Sequence, residues 1–352
     1  MNVTTLTLNE TSDLIAAVGH KHTVLVQGEL GIGKSSMLKT LQSKFPDHHV
    51  AYFDLTTKDV GDFMIPAVTD GIAEFLPNAE FGIHTGKPVI LMLDELGKAS
   101  KSVMNACLRV MLERSVGTRP LPDGSIVFAT TNLAQEGLGD SVPAHAKNRI
   151  IQVQVRKPNS EEWIAWAIPN NVDPVVLATV NEFPQMLCSY TEYETPDQNH
   201  YINDPRAQRA AFVTPRSLYA ASNIIKSTRH LPETVLFSAL CGTIGAPASA
   251  DMLAVLRLDV ELPSWKDICD KPNEAVTPKN GAAIAMMIYR ALVRVDEESF
   301  DAWLKYLNRL PREAQALFAR QIMSPTAGKL KLASTNRSFV TLASELNYIF
   351  KQ

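Results

Sequence analysis

The residues with the clearest chemical potential form a glycine-rich loop near the start of the chain. Residues 28–35 fit the pattern G-x-x-x-x-G-K-[ST] of a phosphate-binding P-loop, and an apolar run at 24–26 precedes them. The glycines let the loop curl so that its N–H groups and the next helix N-terminus point at one anion. Lys34 is expected to reach the β- and γ-phosphates of a nucleotide, and the Ser35 hydroxyl to bind Mg²⁺.

A second motif places two carboxylates at the end of an apolar run. Residues 88–96 contain a continuous apolar stretch followed by Asp94 and Glu95, which is typical of a central strand buried on both faces. Ligands of open α/β sheets bind beyond the carboxyl ends of the strands. Asp94 is expected to hold the hydration shell of Mg²⁺, and Glu95 to orient and deprotonate a water molecule. An acidic pair that caps the following helix is the alternative interpretation.

A third apolar run ends in an amide. Residues 125–131 predict another strand, and Asn132 follows it. The Asn132 side chain could hydrogen-bond the attacking water or the γ-phosphate if this strand neighbours the one that ends at Asp94. The alternative is that Asn132 only starts a turn. The residues predicted to contact the nucleotide or its metal ion are Gly28, Glu29, Leu30, Gly31, Ile32, Gly33, Lys34, Ser35, Ser36 and Asp94.

The order and spacing of these motifs resemble those of the AAA+ ATPases, in particular the MoxR-like branch with the CbbQ, NirQ and NorQ activators. The similar segments are 28–35, 93–99, 105–108, 112–114, 121–124, 129–132 and 213–216. The resemblance makes Lys34 and Ser35 the Walker A residues, Asp94 and Glu95 the Walker B residues, and Asn132 sensor 1. Glu29, Leu133 and Ile150 depart from the usual residues, which indicates a divergent member.

The resemblance also implies roles for two arginines. Arg149 matches the arginine finger, which would enter the site of a neighbouring subunit and neutralise charge on the γ-phosphoryl group. Arg216 matches sensor 2, which reaches the nucleotide from the lid. A cation in the first turn of a helix is electrostatically unfavourable, and this favours an anionic partner for Arg216. A surface position without a role is the alternative for each arginine.

The same resemblance implies ATP and Mg²⁺ as cofactors and a homo-oligomeric ring, usually of six subunits. The implied function is that of an ATPase, forming ADP and phosphate, that remodels or activates a partner protein in a chaperone-like way. The MoxR-like branch commonly works with a von Willebrand factor A-type partner. Two alternatives stay open: a nucleic-acid motor or loader on the same core, and an ATP-gated scaffold whose C-terminal helices bind a partner.

Two segments are candidate loops of the ring pore. Residues 59–66 carry Phe63, Met64 and Ile65, which either grip a substrate or belong to the core. Residues 115–122 are expected to form a hairpin in which Arg119 points into the pore, and a plain surface turn is the alternative.

Composition narrows the class of protein further. The 352 residues are 45% hydrophobic and 20% charged, as in ordinary globular proteins. The 34 basic and 37 acidic residues give a net charge of −3, so no global basic field favours nucleic acid, although a local patch stays possible. The four cysteines form no C-x-x-C pair, and no apolar run or N-terminal signal indicates a membrane or secretion. We therefore expect buried thiols without disulfides and a cytoplasmic location.

Alternating strand and helix signals predict an α/β fold: a P-loop core with a parallel five-stranded sheet, a small α-helical lid and an extra C-terminal helical region. Strands are expected near 24–28, 50–54, 89–93, 125–131 and 150–155, with core helices at 34–45, 100–115 and 159–168. The predicted domains are 1–165, 166–262 and 263–352. The last of these is either a helical bundle packed on the lid or a docking module, and 191–212 is expected to be a mobile loop.

Overall fold

The computed structural model describes residues 4–133, 148–207, 209–258, 262–324 and 328–346. Two compact units divide the chain after Lys157. The first unit contains all the strands of the central sheet, and the described part of the second is mostly helical. The division into three domains at 165 and 262 stays a prediction.

The central sheet of the first unit is parallel throughout. The strands, in chain order, are β1 (Thr5–Leu6), β2 (Val24–Gln27), β3 (His49–Asp54), β4 (Met64–Thr69), β5 (Ile72–Pro77), β6 (Val89–Asp94), β7 (Ser115–Val116), β8 (Arg119–Pro120), β9 (Ile126–Thr131) and β10 (Ile151–Val155). Six of these form the sheet in the order β1, β10, β2, β9, β6, β3. The predicted parallel α/β fold is confirmed, and β1 adds a sixth short strand to the five expected.

Helices cover both faces of this sheet. They are α1 (Leu8–Val18), α2 (Ser36–Lys44) and α3 (Lys101–Glu113). Successive strand side chains point to opposite faces, so Ile90 and Met92 of β6 pack in one cluster with α1 and α2, while Leu91 and Leu93 pack in another with α3. Every residue of β6 is buried. This explains why the sequence of β6 is continuously apolar up to Asp94.

Two hairpins extend from the first unit, and the longer one was not predicted. Strands β4 and β5 are joined at Asp70 and Gly71, whose φ angles of +53° and +79° suit a two-residue hairpin turn. The side chains of Ile65, Val68, Ile72 and Phe75 are exposed on this hairpin. We call residues 64–77 the apolar hairpin.

Phe63 lies at the base of the apolar hairpin but belongs to the core. It is fully buried between Phe53 and Phe81, with ring centroids 5.7 Å from each. Of the three residues considered as gripping residues, Ile65 alone is exposed. The shorter hairpin, β7–β8, forms at 115–120 as expected. Its Arg119 is paired with Glu74 of the apolar hairpin at 3.0 Å.

The second unit is built from helices around one continuous core. These are α4 (Ser160–Ala167), α5 (Pro174–Glu182), α6 (Pro215–Thr228), α7 (Glu233–Ile244), α8 (Ala246–Leu258), α9 (Trp265–Asp270), α10 (Gly281–Arg294), α11 (Phe300–Leu307), α12 (Arg312–Ile322), α13 (Leu330–Thr335) and α14 (Arg337–Glu345). Helix α10 packs against α5, α8 and α12. Buried apolar residues from Trp163 to Leu346 therefore form one cluster, to which the predicted lid and the predicted C-terminal region both contribute.

The polar segment between α5 and α6 is held by two arginines. The Arg209 guanidinium donates to the backbone oxygens of Pro196, Asn199 and Ile202 at 2.6–2.7 Å. Arg206 is paired with the buried carboxylate of Asp204 at 2.6 Å. These hydrogen bonds tie the described part of 191–212 together, and the expectation of a mobile loop there stays a prediction.

The four cysteines carry free thiols, but the expected burial is found at Cys107 alone. Cys107 is buried, and burial raises the pKa of its thiol to about 12, while the other three are half-buried. Across the described ranges, no helix combines the length and the apolar character that a membrane crossing needs.

Candidate functional site

The predicted P-loop connects β2 to α2 at the carboxyl edge of the parallel sheet. Gly31 and Gly33 have φ angles of +68° and +104°, which residues with a side chain rarely adopt. At Gly28 the constraint is space, because a Cβ atom there would lie 2.7 Å from Ile32 Cδ1 and 3.0 Å from the Val155 oxygen. The glycines thus permit a tight loop immediately before a helix N-terminus, where backbone N–H groups favour an anion.

Lys34 lies beneath this loop and is buried. Its ammonium donates to the backbone oxygens of Gly28 at 2.8 Å and Glu29 at 2.9 Å, and to Asn132 Oδ1 at 2.7 Å. Asn132 follows β9, which lies beside β2 in the sheet. The loop and the end of the neighbouring strand are therefore joined through one cation.

Asp94 receives hydrogen bonds on both carboxylate oxygens. Ser35 Oγ and the Tyr52 hydroxyl donate to Oδ2 at 3.1 Å and 2.8 Å. The Thr130 hydroxyl and the Glu95 backbone N–H donate to Oδ1, the latter at 3.1 Å. Although Ser35 is the N-cap residue of α2, its hydroxyl makes no capping bond and is directed to Asp94 instead. Residues from β3, β6, β9 and the P-loop thus meet at one carboxylate.

Glu95 has an unusual backbone conformation. Its φ and ψ angles of +57° and +40° lie in the left-handed region, which costs a residue with a side chain about 1–3 kcal/mol. Glu95 Oε2 accepts hydrogen bonds from Asn132 Nδ2 at 3.0 Å and lies 3.0 Å from Lys98 Nζ. Strained backbone of this kind is concentrated at functional sites, where the surrounding structure holds it in place.

Five predicted site residues thus form one cluster in the first unit: Lys34, Ser35, Asp94, Glu95 and Asn132. We call this the carboxyl-edge cluster.

The other predicted residues lie around the loop or outside the cluster. Ile32 is buried in the core, and Ser36 Oγ donates to the Gly33 oxygen at 2.6 Å. Leu30 and Gly31 are half-exposed on the loop.

The two arginines with predicted roles, Arg149 and Arg216, are not part of the carboxyl-edge cluster. Arg149 is exposed shortly before β10, and the residues 142–147 that precede the Asn148–Arg149 pair lie outside the described residues.

Arg216 belongs to the second unit. It is exposed as the second residue of α6, whose N-cap Thr214 accepts from the Ser217 backbone N–H. The helix begins at Pro215, so the expectation that Arg216 lies in its first turn is confirmed.

Three residues that contact the cluster were not assigned a role from the sequence: Tyr52, Lys98 and Thr130. Tyr52 lies on β3, whose register opposite β6 brings its hydroxyl to Asp94. Thr130 lies at the carboxyl end of β9, two residues before Asn132, and this end of the strand faces Asp94 of the neighbouring β6. Lys98 ends a short 3₁₀ turn that folds back on Glu95. The position of Thr130 at this strand end was a usable signal, whereas the Tyr52 contact depends on strand register.

The donor set of the cluster suits Mg²⁺ and a phosphate. Mg²⁺ is usually held by one or two protein oxygens together with phosphates and water, and Ser35 Oγ and Asp94 Oδ2 offer two oxygens 3.1 Å apart. A site with three or more histidine, cysteine or acidic ligands is absent from the described residues. The residues present therefore fit a magnesium ion that shares its coordination with a nucleotide and do not fit a metal site made by protein alone.

No family model matches the chain, and no curated protein matches it. The solved structure of NtrX from Brucella abortus in complex with ADP is similar, at 14% identity and a TM-score of 0.41, over 95% of this chain and 68% of that one. A lysine-to-arginine mutant of RuvB from Thermotoga maritima is similar at 12% identity and a TM-score of 0.37, over 85% and 87%.

Similarity at this level does not define a fold, so the fold class is taken from the strand order and helix packing of this structure. The first unit is an α/β domain with a parallel sheet covered by helices on both faces. Its P-loop and its strand-end carboxylates meet at the carboxyl edge of that sheet.

Proposed function

We propose that this protein is a Mg²⁺-dependent AAA+ ATPase that hydrolyses ATP to ADP and phosphate at the carboxyl-edge cluster. The observation that carries the proposal is the meeting of three separate segments: the P-loop, the end of β6 and the residue after β9. A P-loop sequence alone can arise by chance. Its contact with an acidic strand end and a strand-end amide is what an ATP-hydrolysing site requires.

The first step is binding of the triphosphate. The N–H groups of the P-loop and the N-terminus of α2 supply partial positive charge, and Lys34 supplies a full one. The Lys34 ammonium has three N–H donors, and its acceptors at Gly28, Glu29 and Asn132 are all uncharged oxygens. Exchange of one of these for a phosphate oxygen gives a stronger hydrogen bond, because donor and acceptor then carry opposite charges.

The second step is activation of water. The cluster has two carboxylates: Asp94, which accepts from Ser35 Oγ, and Glu95, whose Oε2 accepts from Asn132 Nδ2. We assign Glu95 the role of orienting the attacking water and accepting its proton, and Asn132 the role of positioning Glu95 or the water. Mg²⁺, when bound, would be held by Ser35 and Asp94 and would neutralise charge on the phosphates.

The proposal extends to an assembly. Arg149 is exposed and has no place in the cluster of its own chain, as expected for an arginine that serves a neighbouring subunit. We infer a homo-oligomeric ring, with six subunits as the closest expectation, in which Arg149 acts in trans and Arg216 senses the nucleotide from the second unit.

The finer function is remodelling or activation of a partner protein in the manner of MoxR-like ATPases, with a von Willebrand factor A-type protein as one candidate partner. The exposed side chains of the apolar hairpin support a protein client, because they are apolar and lie on both of its faces. The Arg119–Glu74 pair neutralises a cation next to this hairpin, which weakens the case for a nucleic-acid motor.

The test is a steady-state ATPase assay on the full chain with three variants. Glu95→Gln keeps the size of the side chain and an acceptor for Asn132 but removes the base, so hydrolysis is expected to fall by at least about 100-fold while ATP binding persists. Lys34→Ala is expected to lose binding. Glu113→Gln, an exposed glutamate on α3, is the matched control and should behave like the wild-type protein. Unchanged turnover in Glu95→Gln would refute the assignment of the base.

A further inference from the structure

Lys98 is placed against Glu95 by the local fold. It ends the 3₁₀ turn Leu96–Lys98, and its backbone N–H donates to the Glu95 oxygen at 2.9 Å. The turn brings the Lys98 ammonium within 3.0 Å of Glu95 Oε2. The side chains are only partly exposed, 35% for Lys98 and 23% for Glu95. The ion pair includes Glu95, the proposed base, so Lys98 acts directly on a residue of the site.

The same carboxylate oxygen also accepts from Asn132 Nδ2 at 3.0 Å. Asn132 Oδ1 in turn accepts from Lys34 Nζ at 2.7 Å, so an unbroken chain of contacts runs from the P-loop lysine to Lys98. Oε2 is thus engaged by two donors at once. A water molecule that is to donate to this oxygen must displace one of them or wait until the carboxylate turns.

Lys34 has to exchange at least one of its acceptors to reach a phosphate, because three oxygens already accept from its ammonium. If Lys34 leaves Asn132, the Asn132 side chain is freed to reorient, whereas Lys98 keeps its hold on Glu95. The ion pair between Lys98 and Glu95 Oε2 does not involve Lys34, so this exchange leaves it in place to oppose a movement of Glu95.

We propose that Lys98 is a positioning residue that restrains Glu95 in the orientation in which it accepts from Asn132, and so lowers the rate of ATP hydrolysis. The inference rests on the proposed role of Glu95 as the base. It makes Lys98 a brake on idle turnover and not a part of the nucleotide-binding loop.

The test is the ATPase rate of Lys98→Met, which keeps the length of the side chain and removes its charge. The expected result is a rise in kcat of about two- to fivefold, which converts to about 0.4–1 kcal/mol, the range of a partly exposed ion pair. KM for ATP is expected to stay unchanged, because Lys98 contacts Glu95 and not the P-loop. A purely structural role would not separate kcat from KM in this way.

Three further variants make the result decisive. Lys98→Arg keeps the charge and should restore most of the restraint, with a rate close to that of the wild-type protein. Lys101→Met, an exposed lysine at the start of α3, is the matched control for loss of a nearby positive charge. Lys98→Gln removes the charge with a polar side chain and should reproduce the rise if the methionine variant is unstable.

An unchanged or lower kcat in both uncharged variants would overturn the inference. Failure of the proposed function is a separate outcome, recognised by wild-type protein without ATPase activity or by a Glu95→Gln variant that keeps wild-type turnover.

Discussion

The left-handed backbone of Glu95 predicts an inverted stability order for two simple substitutions. At most positions alanine is more stable than glycine, because glycine loses more conformational freedom on folding. At Glu95, with φ at +57°, alanine keeps the strain and glycine relieves it. Both variants lose the contacts with Asn132 and Lys98, so the difference between them isolates the backbone.

The magnitude follows from two opposing effects. The left-handed conformation costs a residue with a side chain about 1–2 kcal/mol. Glycine lacks this cost but is destabilised relative to alanine by about 0.4–1 kcal/mol, because its unfolded chain has more conformational freedom to lose. Glu95→Gly should therefore be more stable than Glu95→Ala by about 1 kcal/mol. Arg109, exposed in the middle of α3, supplies the control. At this ordinary helical position the Arg109→Ala variant should be more stable than the Arg109→Gly variant by about 1 kcal/mol.

The assay has to report on the first unit alone. All four tryptophans, at 163, 166, 265 and 303, lie in the second unit, so fluorescence would follow the wrong part of the chain. Hydrogen exchange of peptides from β6 and β9, measured by mass spectrometry, reads the opening free energy of the central sheet directly. Tryptophan fluorescence then serves as an internal control that should not change. If the Glu95→Ala variant is as stable as the Glu95→Gly variant, or more stable, Glu95 does not have a left-handed backbone.

Three other outcomes are expected. Phe63→Ala should destabilise the first unit by about 3–5 kcal/mol in the same exchange assay, whereas exposed Ile65→Ala should change it by less than about 0.5 kcal/mol; equal effects would contradict the burial of Phe63. Removal of 265–352 takes α10 out of the shared core, so 158–264 should be digested rapidly by protease, and a resistant fragment would show an independent lid. Arg149→Ala and Lys34→Ala, each inactive, should regain activity when mixed, and no recovery would argue against an arginine acting in trans.

The parallel sheet and most of the cluster could be predicted because local sequence determines them. Strand β6 is apolar along its whole length since both of its faces are buried, and its end is marked by Asp94. The P-loop is set by glycines at positions with positive φ. Because parallel strands end at one edge, placing the acidic pair and Asn132 at the ends of neighbouring strands was enough to bring Asn132 to Glu95.

The contacts that were missed depend on pairing or on turns. The bond from Tyr52 to Asp94 requires the register between β3 and β6, which no local pattern specifies. The apolar hairpin did carry a signal, since Asp70-Gly71 between β-branched residues is typical of a two-residue turn. A helical bundle packed on the lid was one of the two alternatives left open for 263–352, and the shared core agrees with it. The sequence could not decide between them, because helical periodicity identifies the apolar face of α10 but not the helices that cover it.

The most direct test of the central claim is a crystal structure of the Glu95→Gln variant grown with ATP and Mg²⁺. We expect the triphosphate in the loop formed by residues 28–35, with Lys34 turned to a phosphate oxygen and Mg²⁺ between Ser35 Oγ and Asp94. A nucleotide bound elsewhere, or a loop that stays unchanged at saturating ATP, would contradict the account.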